Sequence, residues 1–410
     1  MKTETNRWLI VLGTIITQIG LGTIYTWSLF NQPLADAYGW SASSVAITFS
    51  ITSFALAVST LFGGKLQDKL GIKKLVILAG ILLGTGLILS SFAASLWLIY
   101  LLAGVVVGFA NGIAYITTLS NVIKWFPEKK GLISGISVGA FGTGSFVFKY
   151  INQTLLSSLG VQGTFLIWGI AALILISGGA FFLKDAILPQ ETKIGAVNKN
   201  YTIKEMLHTK QAYILFVIFL TACMSGLYLI GIVKDAGMEL AGLSAATAAN
   251  AVAVVAICNT TGRVVLGALS DKVERLYLVA AGLLVTAGAV AVLSMVELST
   301  TLFFVCVAAV AFFFGGNITV FPTIIADYFG LKNQSKNYGV IYQGFGIGAL
   351  GGSFLASLLG GFQPTFIAIG VLCIISFLLA VTVRSPQQPA AAKEDRERRR
   401  HARPIPSQQH

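Results

Sequence analysis

Charge is what this 410-residue chain has least of: Asp, Glu, Lys and Arg together make up 11%, histidine occurs 3 times and cysteine 4 times. Hydrophobic residues reach 55% and the mean hydropathy is +0.81, which excludes a soluble domain of this length. All 16 Asp and Glu fall in loops, in the central polar stretch or at the ends of the apolar segments, and the histidines are His208, His401 and His410. The apolar segments therefore hold no constellation for general acid–base work, so an intramembrane enzyme is not expected. They also hold no carboxylate or imidazole of the kind a protein-relayed proton symporter needs. Cys223, Cys258, Cys306 and Cys373 lie inside apolar segments as small apolar residues, which indicates neither a disulfide framework nor a metal site. No cofactor is expected.

What is abundant is long apolar runs. Windows of about 20 residues predict twelve transmembrane helices. They fall near 8–30, 43–63, 75–93, 97–122, 131–151, 164–183, 211–233, 244–268, 276–296, 301–325, 339–360 and 364–383. The first run continues through Tyr25 and Trp27 instead of ending at a small-residue cleavage site, so it reads as a span and not as a signal peptide. Of the 28 Lys and Arg, all but Lys149, Lys234 and Arg263 fall at the N-terminus, in the even-to-odd loops, in the central stretch or in the tail. The positive-inside rule makes those segments cytoplasmic, both termini included, and a bacterial inner membrane is the expected location. The net charge of +12 is then an orientation signal, and no nucleic-acid partner is needed to explain it. The basic cluster Arg396 to Arg403 reads as part of a solvated, disordered tail.

Arg263 is the exception that carries the function. It lies some eight positions from the nearest loop, roughly 12 Å along a helix, and no membrane span supplies a carboxylate to neutralise it. A lone intramembrane cation costs about 2.5 to 3.5 kcal/mol on insertion scales and usually faces a water-filled cavity or a functional partner. An anion is the inferred partner. Snorkelling, or bonding only to helix carbonyls and to Asn259 and Thr260, is the plainer alternative.

The chain also repeats itself. Gly64-Lys65-Leu66-Gln67-Asp68-Lys69-Leu70-Gly71-Ile72-Lys73-Lys74 is matched 203 positions on by Gly267-Ala268-Leu269-Ser270-Asp271-Lys272-Val273-Glu274-Arg275, and Trp125-Phe126 at the same offset by Tyr328-Phe329. Two landmarks at one spacing predict two six-helix halves related by an axis along the membrane normal. The expected division is an N-terminal bundle over 1–184, a cytoplasmic linker over 185–210, a C-terminal bundle over 211–384 and a tail over 385–410. The Gly64 to Lys74 segment resembles the loop between helices 2 and 3 of the major facilitator superfamily. That resemblance implies an all-α fold of two six-helix bundles with a pseudo-twofold. It also implies a gating latch in which Asp68, and Asp271 in the second copy, accept hydrogen bonds at a neighbouring helix end. Gly64, Lys69, Gly71 and Lys272 complete the expected latch, and Glu274 in place of glycine predicts an altered second turn.

Within the superfamily the chain is most similar to the oxalate/formate antiporter branch of small-carboxylate carriers, over nearly its whole length. The matching stretches are Tyr25-Thr26-Trp27-Ser28-Leu29, Trp125-Phe126-Pro127-Glu128-Lys129-Lys130-Gly131, Gly262-Arg263 with Ser270-Asp271-Lys272, Phe321-Pro322, and Lys336-Asn337-Tyr338-Gly339. The resemblance implies that Arg263 binds substrate carboxylate and that Tyr25 and Tyr115 line the same pocket. At the antiporter's helix 11 lysine this chain has Phe345, and at its helix 10 Trp and Tyr it has Phe314 and Ile318. A site that clamps a dianion between two cations has lost one of them, which favours a monocarboxylate such as formate, pyruvate or lactate over oxalate. Monocarboxylate/proton symporters, which share the helix 8 Arg, pair it with an Asp one turn earlier, and Asn259 stands there in this chain.

Lys149 keeps a second-cation reading open. It sits on helix 5, where it could face Arg263 across the cavity, snorkel to the outer interface, or draw anions to the outer mouth. The expectation is a monomeric secondary transporter that exchanges small organic anions, or passes them by facilitated flux, through alternating access, with lipid as its other partner. The alternatives are an oxalate/formate antiporter proper, a drug or metabolite efflux carrier, and a transporter-like anion receptor.

Overall fold

A computed structural model describes residues 6–186 and 199–387, and among them there is helix but no strand. Most of the expected linker, 187–198, and all of the tail from 388 on, with the Arg396 to Arg403 cluster, lie outside the described residues.

The first four helices are α1 (Arg7–Tyr38), α2 (Ala42–Leu70), α3 (Ile72–Ser90) and α4 (Leu96–Trp125). A 51-residue helical stretch, Lys130–Ala180, follows and is too long for one crossing. Gly160 breaks it with φ 66° and ψ −171°, a conformation open to glycine and costly for other residues. The break yields α5 (130–159) and α6 (161–180). The remaining spans are α7 (Lys210–Leu240), α8 (Ala245–Leu269), α9 (Arg275–Met295), α10 (Thr300–Phe329), α11 (Gln334–Leu359) and α12 (Phe362–Thr382). Twelve spans result, as the apolar windows predict. A five-residue helical turn, Ile203–Leu207, precedes α7 and is fixed by a capping box between Thr202 and Glu205.

Large apolar side chains face outward along these helices, with Trp97 at 80%, Phe92 at 76% and Phe354 at 65% exposure. Such a surface is suited to hydrocarbon and unsuited to water.

Packing repeats with the sequence. α1 packs on α5 as α7 does on α11, α2 on α4 as α8 does on α10, and α3 on α6 as α9 does on α12. The correspondence reaches single atoms. A Cβ added at Gly112 of α4 would lie 2.1 Å from the Leu56 carbonyl oxygen of α2, and one at Gly315 of α10 would lie 2.1 Å from the Asn259 carbonyl oxygen of α8. Both partners of the second pair stand 203 positions after those of the first. Glycine at these places lets two helix backbones touch.

The two latch loops differ as expected. Gly71, at φ 75°, alone separates α2 from α3. Glu274 has φ −57° at the start of α9, and the chain takes residues 270–274 to make the turn. A side chain at that position does not adopt the left-handed geometry, so the turn is built longer.

Candidate functional site

The bundles meet along two seams, α5 against α8 and α2 against α11. Four groups of contacts close them on the side that carries the Ile203–Leu207 turn, here the linker side. Asp271 accepts the backbone N–H groups of Gly131 (2.7 Å) and Leu132 (2.8 Å) at the start of α5, where the helix dipole favours a carboxylate. Asp327 of α10 pairs with Lys130 of α5 at 2.6 Å and with Arg275 at 2.5 Å, and Arg275 reaches Asp271 at 3.1 Å. Asp68 ion-pairs with Lys336 of α11. The Gln343 side-chain amide donates to the Ala57 carbonyl of α2 at 2.7 Å.

Asp271 thus takes the helix-end position expected of both latch aspartates, and Asp68 does not: it finds a side-chain cation instead of backbone amides. Gly64 lets α2 and α11 approach, since a Cβ there would come within 2.7 Å of Lys336 Cγ and 3.0 Å of its backbone nitrogen. Lys69 and Lys272 are exposed and have no ion-pair partner among the described residues. Asp327, Lys130 and Gln343 were not singled out by the sequence, because charge at a helix end reads as ordinary interfacial residue.

On the opposite side, no hydrogen bond or ion pair joins the two bundles among the described residues. Arg263 lies between the two bundles, beyond the linker-side contacts. Arg263 is 4% exposed, and its Nη1 donates to the Val138 carbonyl of α5 at 2.8 Å. Its Nε is buried with no partner. Two glycines make room for it, one from each bundle. A Cβ at Gly315 would stand 3.2 Å from Arg263 Cγ, and one at Gly142 would stand 3.6 Å from Arg263 Nη1.

Around the guanidinium lie Tyr25, Tyr115, Phe141, Tyr342 and Phe345, with Leu56, Val138 and Ile318 closing the walls. The free space left among them is small, a cavity of about 10 Å³. Tyr25 sits where α1 tightens into a 3₁₀ stretch, Thr23–Phe30. It meets Phe141 edge-on at 5.1 Å. Tyr115 meets Phe141 at 5.6 Å and Tyr342 at 5.4 Å, and its hydroxyl is buried without a well-formed hydrogen bond. Tyr342 stacks on Phe345 at 5.1 Å. An arginine with donors to spare, phenol hydroxyls and aromatic faces form a small electropositive recess whose chemistry suits a planar anion once its walls part.

Of the sequence candidates, Arg263, Tyr25, Tyr115 and Phe345 come together here. Three do not. Asn259, one turn before Arg263, turns its amide to the Ala311 carbonyl at 3.4 Å, a bond from α8 to α10 within one bundle. Phe314 packs over Gly226 of α7, and Ile318, one turn further on, takes its place in the lining. Lys149 is exposed, with its ammonium 5.7 Å from the Tyr150 ring, and stands outside the recess. It is seven residues beyond Gly142 on the same face of α5, roughly 10 Å toward the open end. Gln18 and Asn111, also polar within the spans, bond Thr118 Oγ1 at 3.1 Å and the Leu21 carbonyl at 2.8 Å.

Tyr342 and Phe141 are lining residues that the sequence did not mark. Tyr342 lies in the glycine-rich α11, whose pattern reads as close packing. Its spacing of three from Phe345 was the available signal.

Comparison with known proteins matches the model of the Major Facilitator Superfamily over residues 10–296 and 214–408. The chain is 48% identical to the uncharacterized MFS-type transporter YhjX of Escherichia coli (strain K12), over 85% of this chain and 87% of that one. It is 28% identical to the oxalate:formate antiporter of Oxalobacter formigenes, over 92% and 91%. To monocarboxylate transporter 13 of Rattus norvegicus it is 27% identical, over 91% and 86%. Among solved structures, the E. coli fucose:proton symporter FucP superposes with a TM-score of 0.72 at 12% identity, over 91% of this chain and 97% of that one.

Proposed function

Because this chain belongs to the Major Facilitator Superfamily, we propose that it is a secondary transporter of small organic anions, a monocarboxylate of the formate, pyruvate or lactate type being its substrate. The observation that carries this reading is Arg263: a buried cation in an aromatic recess, its Nε unpartnered among the described residues, its Nη1 bonded to a carbonyl. None of the ion pairs among the described residues includes it, and a carboxylate ligand supplies the missing charge. Phe345 gives the recess no second cation, which favours one carboxylate over two. Relatives named for oxalate, formate and monocarboxylates support the class.

The mechanism is alternating access. An anion enters from the side opposite the linker, meets Arg263 and the Tyr25 and Tyr115 hydroxyls, and neutralises the recess. Rocking of the bundles then parts the linker-side contacts and opens the other face. An empty recess leaves Arg263 unpaired by charge, so return without an anion is slow and exchange dominates. By the positive-inside rule the linker side faces the cytoplasm, and the Escherichia coli relative supports a bacterial inner membrane. The test is counterflow in proteoliposomes loaded with unlabelled formate, pyruvate, lactate or oxalate, with Arg263→Gln in parallel. Uptake of a labelled monocarboxylate that Arg263→Gln abolishes is the expected result. Uptake unchanged in that variant, or no carboxylate uptake at all, overturns the reading.

A further inference from the structure

A second cavity, of about 510 Å³, lies on the linker side and is lined by Lys65, Thr202, Ile203, Lys204, Leu207, His208, Asn333 and Lys336. We propose that this groove binds the phosphate of an anionic phospholipid headgroup and, by doing so, holds the linker side closed.

Three separate elements bring the cations together: Lys65 from the end of α2, Lys204 from the Ile203–Leu207 turn, and Lys336 from the start of α11. The turn is fixed in place. Tyr201 donates its N–H to the Phe329 carbonyl at 2.9 Å, and its own carbonyl accepts from Asn333 at 2.9 Å and from Asn337 at 3.0 Å. Lys204 is therefore held toward the α2–α11 seam. The two acidic side chains nearby are already engaged, Asp68 with Lys336 and Glu205 with Lys199. Lys65 and Lys204 have no ion-pair partner among the described residues. His208 closes the rim, with Nδ1 bonded to the Lys204 carbonyl at 2.6 Å.

The groove is not polar throughout. Ile203 and Leu207, one helical turn apart, form an apolar floor, and Leu207 is 38% exposed. A free phosphate leaves that floor wet, whereas the glycerol and upper acyl chain of a lipid cover it while its phosphate meets the lysines. The position fits as well, because the groove opens at the ends of membrane-spanning helices. Lys65 belongs to one bundle, Lys336 and the docked turn to the other. A headgroup bridging them binds the closed linker side better than the open one, so it shifts the population toward the form described here.

The experiment is native mass spectrometry of the full chain with phosphatidylglycerol or phosphatidylcholine, comparing wild type with the double variant Lys65→Gln plus Lys204→Gln. At roughly fivefold per lysine, the double variant is expected to hold phosphatidylglycerol about twenty-five-fold more weakly. Phosphatidylcholine retention is expected to be unchanged, which also reports that the variant is folded. Lys74→Gln plus Lys272→Gln, which removes two linker-side charges outside the groove, is expected to bind like wild type. Equal phosphatidylglycerol retention in wild type and double variant overturns the proposal, as does an equal loss in the control. Displacement of the lipid by millimolar inorganic phosphate also overturns it, in favour of a soluble anion. None of these readouts depends on transport, so their outcome is independent of the carboxylate reading.

Discussion

Arg263 of α8 donates a 2.8 Å hydrogen bond across the molecule to the Val138 carbonyl of α5. The residue that presents positive charge to the recess is thus also a tie between the two bundles. A ligand that engages Nε and the free guanidinium N–H groups acts on the same side chain that holds α5 to α8. Lysine has a point charge on a flexible stem and cannot serve both roles with a fixed fork. Arg263→Lys is therefore expected to keep the charge yet weaken anion binding by about 2 kcal/mol or more, roughly thirtyfold in the half-saturating concentration for counterflow.

Phe345 lines the same recess as the arginine and is 2% exposed. Phe345→Lys places a second cation in the wall. The expected outcome is a change of preference, with oxalate competing against labelled monocarboxylate in the variant and failing to do so in the wild type. Competition profiles that are identical in the two proteins count against Phe345 as the selector.

Asp271 accepts two backbone amides of α5 and the Arg275 guanidinium. Hydrogen bonds to a charged group are worth about 1.5 to 3 kcal/mol each. Asp271→Asn keeps the size and removes the charge, so the linker side is expected to open more often. Spin labels placed across the seam should report a larger population of long distances. An unchanged distribution would place the closure elsewhere, in Asp327 or Gln343.

Gly112 and Gly315 are equivalent contact points, each 2.1 Å from a carbonyl oxygen once a Cβ is added. Alanine at either forces the helices apart, with an overpacking cost of about 1 to 3 kcal/mol. Both variants are expected to lower the thermal midpoint in detergent by similar amounts. Gly315→Ala should also impair transport, because Gly315 abuts the Arg263 stem at 3.2 Å.

Outside the membrane, hydrogen bonds from the Thr202 backbone, the Lys199 ammonium and the Thr202 hydroxyl lower the Glu205 pKa to about 2. The folded value lies below the ordinary 4.5, so the carboxylate stabilises the docked turn at pH above the ordinary value. That contribution is lost as pH falls from there toward about 2. A carboxyl-carbon NMR titration should give a midpoint well below the ordinary one for Glu205, and Thr202→Ala should move it back up.

Much of this architecture was legible before folding. The 51-residue stretch separates into two spans at Gly160 because the apolar windows already fall on either side of it. The 203-residue offset of Asp68 and Asp271 reappears as the matched contacts Gly112 to Leu56 and Gly315 to Asn259. The pocket was legible only in part. Arg263, Tyr25 and Tyr115 stand out as polar or charged groups in apolar runs, but Phe314 was selected where Ile318 lines, and Tyr342 was passed over. On a helix such as α10, apolar on nearly every face, no polar stripe fixes its rotation. Positions one turn apart then read alike. Asn259 misled for a related reason: a polar side chain near Arg263 can face the recess or bond the next helix, and only the position of the Ala311 carbonyl decides.

The sequence by itself determined that the chain lives in a membrane, how many times it crosses, that its halves repeat, and that a lone cation, Arg263, lies deep within a span. Those follow from costs that hold wherever the residue points, since a cation or an unpaired backbone group in hydrocarbon is expensive in any packing. Only the tertiary structure decided which aromatic rings surround Arg263, that Lys149 stands apart from them, and which side of the molecule is sealed. Those depend on helix rotation and on contacts between residues more than a hundred positions apart, where glycine contacts and single carbonyl oxygens select the register.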